Sequence, residues 1–105
     1  MIFKVILSGQ ARMDVRKAAG YYKKRSPQAA QKWLREFKKL QESLAIFPAR
    51  FALSNNPNLT KNSYRVAFHY SHKVVFHVDE QSKTVYIAHV YHSARKPLEL
   101  DEDIE

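Results

Sequence analysis

The sequence predicts one small α+β domain in which a helix hairpin packs on an antiparallel-rich sheet, with its elements in the order β-α-α-β-β-β. A short β-branched run opens the chain, two amphipathic helical stretches follow, and three strand-like runs come after them. With 105 residues, 45% of them hydrophobic, the chain can bury one core but is too short for two. We assign residues 1–97 to this domain and expect residues 98–105 to form a flexible acidic tail.

The first strand and the two helices are predicted from changes in the hydrophobic period. Residues 2–7 are almost wholly apolar and end at Ser8, which predicts a strand covered on at least one face. From Ala11 the apolar residues recur at helical spacing, and the basic residues lie largely off that face. Ser26 and Pro27 then predict the N-cap and first turn of a second helix. The apolar stripe of this helix consists of Ala30, Trp33, Leu34, Phe37, Leu40, Leu44 and Phe47.

The rest of the domain is predicted to be a long loop and three strands. Residues 48–62 contain two prolines and four asparagines with no clear period, which is typical of a loop, and long loops in small domains often carry function. Strand-like runs follow at residues 64–70, 73–78 and 84–91. Because the polar stretches between these runs are too short for a helix, we expect an antiparallel meander.

The register of the first hairpin in this meander decides which residues face a partner. A three-residue turn at residues 71–73 is preferred, since it leaves one apolar face for the helices and one basic face for a partner. The predicted apolar face carries Val66, Phe68, Tyr70, Val74, Phe76 and Val78. The predicted opposite face carries Arg65, His69, Val75 and His77. A two-residue turn would instead mix Val66 and Phe68 with Lys73 and His77.

Composition excludes several classes of protein. The chain has no cysteine, so it forms no disulfide, zinc-thiolate site or thiol nucleophile, and this fits a reducing cytoplasm, where we expect the protein. No apolar run approaches the roughly 20 residues that span a bilayer, and the first residues lack the order of a signal peptide. We therefore expect no membrane association.

Charge is distributed unevenly along the chain. Residues 1–96 contain all 18 basic residues but only five acidic ones, a net charge of +13, whereas residues 99–105 contain the other five acidic residues. A body this basic attracts RNA, DNA or a strongly acidic protein, although a solvated surface is an equally good interpretation. The acidic residues can fold back over the basic surface or remain a frayed end.

The histidines do not predict a metal site. His69 and His72, like His89 and His92, are three residues apart, which places the members of each pair on opposite faces of a strand. No carboxylate lies nearby at helical spacing to complete a site, so we expect no metal and no cofactor. The chain also lacks a nucleophile elbow and a glycine-rich phosphate loop.

Metal-free cleavage of RNA is chemically open to this chain. The 2′-hydroxyl of the substrate is the nucleophile, so the protein must supply only a general base, a general acid and cations at the phosphate. The candidate catalytic residues are Arg65, His92 and Tyr91. The candidate RNA-binding or phosphate-binding residues are Lys61, Arg95, Lys96, His69 and His77. Structural alternatives remain open: Lys61, Arg65, Arg95 and Lys96 can be solvated charges, and His92 can be an ordinary histidine at a strand end.

Five motifs follow one another along the predicted elements: Ala11-x-x-Asp14-Val15, Tyr21-Tyr22, Ser26-Pro27-x-x-Ala30, Tyr64-Arg65 and Val85-x-Ile87-x-x-Val90-x-His92-x-x-Arg95. In this order and spacing, over about residues 2–97, they resemble the RelE/ParE superfamily of bacterial toxins from type II toxin–antitoxin (plasmid stabilization) systems. The resemblance implies a growth inhibitor that a small antitoxin wraps and neutralises. RelE-like members are ribosome-dependent mRNA endonucleases, or mRNA interferases, whereas ParE-like members lack the basic catalytic set and poison DNA gyrase.

The residues favour the ParE-like branch of this superfamily. Arg65 lies where the family carries an arginine on its second strand, and His92 and Arg95 fit the ending common in ParE-like members. The lysine-rich approach typical of RelE-like members is reduced here to Lys61. We therefore expect a toxin whose partners are an antitoxin and DNA gyrase. The alternatives are a RelE-like endonuclease acting on mRNA at the ribosome and a non-toxic nucleic-acid-binding module.

Overall fold

The computed structural model describes residues 2–54 and 63–93. Within these residues the elements follow the predicted order, and two helices cover one face of a single sheet. The elements are β1 (Lys4–Leu7), α1 (Gly9–Arg25), α2 (Pro27–Leu44), β2 (Arg65–His69), β3 (His72–Asp79) and β4 (Thr84–His92), with one 3₁₀ turn at Pro48–Arg50. The strand order is β1-β4-β3-β2, with β1 parallel to β4 and the other pairs antiparallel, so the predicted meander is confirmed.

A serine caps the start of each helix: the cap at Ser26 confirms the prediction, whereas the cap at Ser8 was not predicted, and α1 begins at Gly9, before the predicted Ala11. The Ser8 hydroxyl accepts a hydrogen bond from the Ala11 amide at 2.9 Å, and the Ser26 hydroxyl accepts one from the Ala29 amide at 3.3 Å. The backbone amide of Ser26 also donates to the Tyr22 carbonyl at the end of α1, so one residue closes the first helix and opens the second. This tight junction folds the two helices into a hairpin.

The second helix is shorter than its apolar stripe predicts. It ends at Leu44, and Phe47 has a positive φ of 49° with its side chain 67% exposed. The following residue is Pro48, whose ring disfavours helical geometry at the residue before it. Phe47 is therefore a surface residue and its predicted place in the core is wrong, whereas Trp33 is only 3% exposed and lies in the core as expected.

The predicted register of the β2–β3 hairpin is wrong. His69 pairs with His72, so the turn contains only Tyr70 and Ser71, and Tyr70 has the positive φ of 55° that tight hairpin turns require. Because the turn is one residue shorter than predicted, different residues of β3 oppose β2. The β2 residues expected to face the helices therefore face away from them, and the others face the helices. Ala67 now faces the helices. The face away from the helices receives Val66, Phe68, Lys73, Val75 and His77.

A β-bulge explains why β4 is apolar at both odd and even positions. Val75 pairs with His89 and Phe76 pairs with Ile87, so Ala88 is an extra residue on β4. The alternation of side chains reverses at this point. Before the bulge Val85 and Ile87 pack in the core beneath the helices, and after it Val90 does so, while Tyr91 packs on the other face.

The edge of β4 is completed by two different elements. β1 pairs with Thr84–Ile87 only, and beyond that point α1 takes its place. The Ser8 hydroxyl donates to the Ala88 carbonyl at 2.8 Å, and the Asp14 carboxylate accepts the Val90 amide at 3.0 Å. These side chains satisfy backbone groups that a neighbouring strand would otherwise pair.

The Asp14 carboxylate is buried, with only 6% of the residue exposed. Besides the Val90 amide it accepts a hydrogen bond from Gln10 Nε2 at 2.8 Å, and its Oδ2 lies 3.3 Å from Nδ1 of the buried His89. Burial by itself would raise the pKa of Asp14, but the interactions with His89, Val90 and Gln10 outweigh it and lower the pKa. Asp14 is therefore held ionised.

We expect the Asp14→Ala substitution to lower the free energy of unfolding by about 2–3 kcal/mol at pH 7, because it leaves the buried Val90 amide without an acceptor. Urea denaturation followed by circular dichroism measures this loss. Glu42→Ala, an exposed acidic substitution on α2, is the matched control and should change the value by less than about 0.5 kcal/mol.

The same pair of proteins tests the charge state of Asp14. Because its pKa in the folded protein lies below the ordinary 3.8, its stabilisation is complete above pH 3.8 and is lost as the pH falls through the folded pKa. The difference in the free energy of unfolding between the wild type and Asp14→Ala should therefore decrease as the pH falls below 3.8. A difference that grows on acidification would contradict the assignment.

Candidate functional site

The structure does not bring the three predicted catalytic residues together. Arg65 shares the helix-facing side of β2 with Ala67, and its Nη1 donates to the Phe51 carbonyl at 2.6 Å. Tyr91 is 4% exposed and packs on the other face of the sheet. His92 is exposed at the end of β4, where its ring centroid lies 5.4 Å from that of His72. Arg65 and Tyr91 therefore lie on opposite faces of the sheet, and His92 lies beside His72 at the end of β4.

His69 lies in the core and not on an open face. It is 6% exposed, its Nε2 donates to the Trp33 carbonyl at 3.1 Å, and its ring meets the indole edge-on at 4.7 Å. The prediction that His69 faces a partner is therefore wrong. The cause is the shorter β2–β3 turn, which directs His69 toward α2.

His77 lies on the face away from the helices, as predicted. Its ring stacks on Tyr86, with centroids 5.1 Å apart and planes at 23°, and meets Tyr64 edge-on at 5.4 Å. Phe68, 67% exposed, adds a further aromatic ring to this sheet face. The other three candidate phosphate-binding residues, Lys61, Arg95 and Lys96, lie outside the described residues.

Burial makes three histidines poor cations. It lowers the pKa of His69, His72 and His77 below the ordinary 6.5, and the neighbouring His92 and His69 lower the pKa of His72 further. All three rings are therefore predominantly neutral at pH 7. A neutral imidazole can donate or accept a hydrogen bond but adds no positive charge at a phosphate.

An apolar groove between β1 and α2 is a surface that the sequence did not reveal. Its volume is about 460 Å³. Its lining consists of Phe3, Val5, Leu7, Val15, Leu34, Phe37, Lys38, Gln41, Glu42 and Ala45. Leu34 belongs to the predicted core stripe, yet it is 40% exposed at the lip of this groove. Its position beside Trp33, at the margin of the stripe, is the one sequence signal for this exposure.

A second groove lies beside the first, along the crease between the helices. It has a volume of about 430 Å³, and Leu34 lines both grooves. Arg16 and Lys23 of α1 border it, and both are exposed. Besides their apolar residues, the two grooves are lined by three basic side chains, Arg16, Lys23 and Lys38, and one acidic side chain, Glu42. This net positive lining suits a partner segment that combines apolar and acidic side chains.

The described residues contain no group of three or more side chains able to hold a metal ion. Among the described helices, none has the length and apolarity needed to cross a lipid bilayer.

Solved structures with the same fold come from toxin–antitoxin systems. A chain of the chromosomal ParDE TA system from P. aeruginosa superposes with a TM-score of 0.69 at 16% identity, covering 87% of this chain and 96% of that one. A chain of the toxin–antitoxin complex RelBE2 from Mycobacterium tuberculosis superposes with a TM-score of 0.61 at 19% identity, covering 88% and 99%. The fold is therefore of the RelE/ParE type.

The family follows from the sequence match. The family model described as "ParE toxin of type II toxin-antitoxin system, parDE" matches residues 5–97. No curated protein sequence gives a significant match. The chain belongs to the ParE toxin family of type II toxin–antitoxin systems, which confirms the resemblance carried by its motifs.

The buried histidines should make stability depend on pH. Because the pKa values of His69 and His72 lie below 6.5 in the folded protein, their stabilisation is complete above pH 6.5 and is lost as the pH falls from 6.5 toward the folded values. We expect the free energy of unfolding to decline between pH 7 and pH 5, by at most about 1.4 kcal/mol per pH unit for each histidine.

The double variant His69→Gln, His72→Gln tests this assignment, since a glutamine amide can still donate to the Trp33 carbonyl but does not titrate. Urea denaturation at pH 7 and pH 5 should give a smaller difference for the variant than for the wild type. Equal differences would show that other groups cause the pH dependence.

Proposed function

We propose that this ParE-family toxin inhibits bacterial growth by poisoning DNA gyrase in the cytoplasm and that a cognate antitoxin neutralises it. The observation that carries the proposal is the ParE family match, which extends over residues 5–97 and so includes both helices and, except for Lys4, all four strands. The contacts of the predicted catalytic residues also favour DNA gyrase over mRNA as the target.

Those contacts are unfavourable for metal-free RNA cleavage. A ribonuclease needs its acid, its base and its cations around one phosphate. The guanidinium of Arg65 is bonded to the Phe51 carbonyl, which occupies one of its donors, and burial raises the pKa of Tyr91, which weakens it as an acid. His69 is bonded within the core. The described residues therefore support a toxin that acts by binding.

The two neighbouring grooves support an antitoxin partner. The structural relatives are named as toxin–antitoxin complexes, and an antitoxin that wraps this protein needs a surface for an extended amphipathic segment. The apolar floor around Leu34 can bury the hydrophobic side chains of such a segment, and Arg16, Lys23 and Lys38 can pair with its acidic ones. We propose this surface as the antitoxin site.

The target is tested by inducible expression in bacteria, with plasmid topology and total RNA examined from the same culture. We expect growth arrest, DNA breakage or loss of supercoiling, and intact mRNA. Arg65→Ala and His92→Ala should remain as toxic as the wild type, because gyrase poisoning does not use their chemistry. Purified protein added to gyrase and plasmid should increase the amount of trapped, cleaved DNA.

Other results would replace this proposal with a specific alternative. Cleaved mRNA with normal supercoiling, lost in Arg65→Ala, would identify a RelE-like endonuclease. Normal growth despite abundant soluble protein would favour a non-toxic nucleic-acid-binding module.

The antitoxin site is tested by placing a charge in the groove. Leu34→Glu should weaken binding of the antitoxin encoded beside the toxin by about tenfold or more, since it puts a carboxylate at the apolar lip of the site. Phe68→Glu, an equally drastic change on the opposite face of the sheet, is the matched control and should have little effect. Calorimetric titration with purified proteins measures both, and a larger loss for Phe68→Glu would place the antitoxin on the other face.

A further inference from the structure

A small cavity lies between the helix hairpin and the turn that joins β2 to β3. Its volume is about 170 Å³, and its lining consists of Tyr22, Ala29, Lys32, Trp33 and Tyr70. Three of these five residues are aromatic, and Lys32 is the only charged one among them. A cavity of about 150 Å³ can hold a benzene molecule, so this one has room for a single aromatic ring. We call it the aromatic cavity.

Tyr70 is the most unusual residue of this lining. It occupies the first position of the two-residue β2–β3 turn with a positive φ of 55°, a conformation that favours glycine and is strained for a bulky residue. Its side chain is 58% exposed and meets the ring of His69 edge-on, with centroids 4.9 Å apart. The turn therefore carries a strained tyrosine whose ring is mostly in solvent. Strain of this kind clusters at functional positions, which makes the ring a candidate contact for a partner.

Trp33 forms a pre-organised wall of the cavity. It is 3% exposed, and its indole stacks with Phe37 at 5.5 Å and with Tyr22 at 6.0 Å between ring centroids. Its Nε1 has no hydrogen-bond acceptor among the described residues, although most buried polar atoms have a partner. Because the packed rings already fix this wall, little side-chain entropy is lost there when a ring binds. An occupant that brings an oxygen atom to the indole offers the missing acceptor.

The aromatic cavity and the proposed antitoxin site lie on different sides of α2. Ala29 lines the cavity, whereas Leu34 lines both grooves of the antitoxin site. At 3.6 residues per turn, these two positions are about 140° apart around the helix. A partner can therefore occupy the aromatic cavity without entering the antitoxin site.

The lining of the aromatic cavity defines the chemistry of its occupant. Tyrosine and tryptophan rings favour edge-on or offset contacts with another aromatic ring, and they are common anchors in protein interfaces. Such rings also attract cations, but the exposed Lys32 repels them. Among the described residues no carboxylate lines the cavity, and the chain has a net charge of +8. Charge complementarity therefore favours an aromatic side chain with acidic neighbours.

A protein segment fits this cavity better than a nucleic acid strand does. Single strands bind along several stacking rings and a groove of several cations. The aromatic cavity instead has room for one ring and a single lining cation, Lys32. One aromatic anchor with one or two acidic neighbours matches this arrangement.

We propose that the aromatic cavity binds an acidic segment of a partner protein, which packs one aromatic side chain against Tyr70 and Trp33 and pairs a carboxylate with Lys32. This function explains why the β2–β3 turn carries a strained, exposed tyrosine. The site is separate from the antitoxin grooves, and the inference does not depend on the target of the toxin.

The single tryptophan provides a direct measurement of binding. Trp33 is the only tryptophan of the chain, so its indole N–H gives one signal in the ¹H–¹⁵N spectrum of the full-length protein. Titration with the peptide acetyl-Glu-Phe-Glu-amide at low salt should shift this signal to saturation. Acetyl-Lys-Phe-Lys-amide should bind about fivefold or more weakly, and acetyl-Glu-Ala-Glu-amide should cause no shift.

Two results of this titration would overturn the proposal. One is no shift with the Glu-Phe-Glu peptide, or an equal shift with the alanine peptide. The other is tighter binding of a thymidine oligonucleotide than of any peptide, which would identify a nucleic acid site instead.

Tyr70→Gly separates the role of the ring from the stability of the fold. Because glycine adopts a positive φ without strain, this variant should unfold at the same urea concentration as the wild type or a higher one. It should bind the Glu-Phe-Glu peptide about fivefold or more weakly. Phe68→Ala removes an exposed ring from the other face of the sheet and is the matched control, with unchanged binding. Wild-type affinity in Tyr70→Gly, or unfolding at a lower urea concentration, would contradict the proposed role of Tyr70.

The ionic contact is tested by removing one charge at a time. Lys32→Gln should weaken binding of the Glu-Phe-Glu peptide, whereas Lys17→Gln removes an exposed charge of α1 outside the cavity and should not. Equal losses would show a response to net charge only and would refute pairing at Lys32. None of these measurements involves toxicity or the antitoxin, so their outcome is separate from that of the proposed function.

Discussion

The fold depends on how the edge of β4 is completed. β4 lies between β3 and β1, but β1 accompanies it only as far as Ile87, and the remaining backbone groups would be unpaired without α1. Ser8 and Asp14 supply the missing partners from the first turns of that helix. Because an ionised carboxylate is stable in this buried position only with its donors in place, Asp14 fixes the position of α1 on the sheet.

Fixing α1 in this way also sets the surfaces of the molecule. The hairpin joined at Ser26 must bring α2 over the sheet beside α1, which leaves a crease between the helices and an apolar groove against β1. The opposite flank of α1 lies beside the end of β4, where Lys17 and Tyr21 line a further cavity. The same arrangement that satisfies one strand edge therefore creates separate grooves on the two sides of α1.

The candidate site was the least predictable part of the protein. The reason is that its faces depend on whether the β2–β3 turn contains two residues or three. The sequence pattern favoured the longer turn, which places Val66 and Phe68 on the same face as the apolar residues of β3, but the structure adopts the shorter one. What favours the shorter turn is the carbonyl of Trp33, which gives a buried His69 a hydrogen-bond acceptor. That acceptor lies 36 residues away in the sequence and is not part of any local pattern.

The sequence by itself determined the element order, the helix junction at Ser26, the core position of Trp33 and the resemblance to the family, because these follow from local periodicity, capping and motif spacing. Only the tertiary structure decided the bulge at Ala88, the exposure of Leu34 and the role of Asp14. Each of these results from pairing between distant segments, such as the 76-residue separation between Asp14 and Val90. Each buried polar group forms its hydrogen bond with a partner that is distant in the sequence. The hydrophobic period of a segment does not indicate which partner that is.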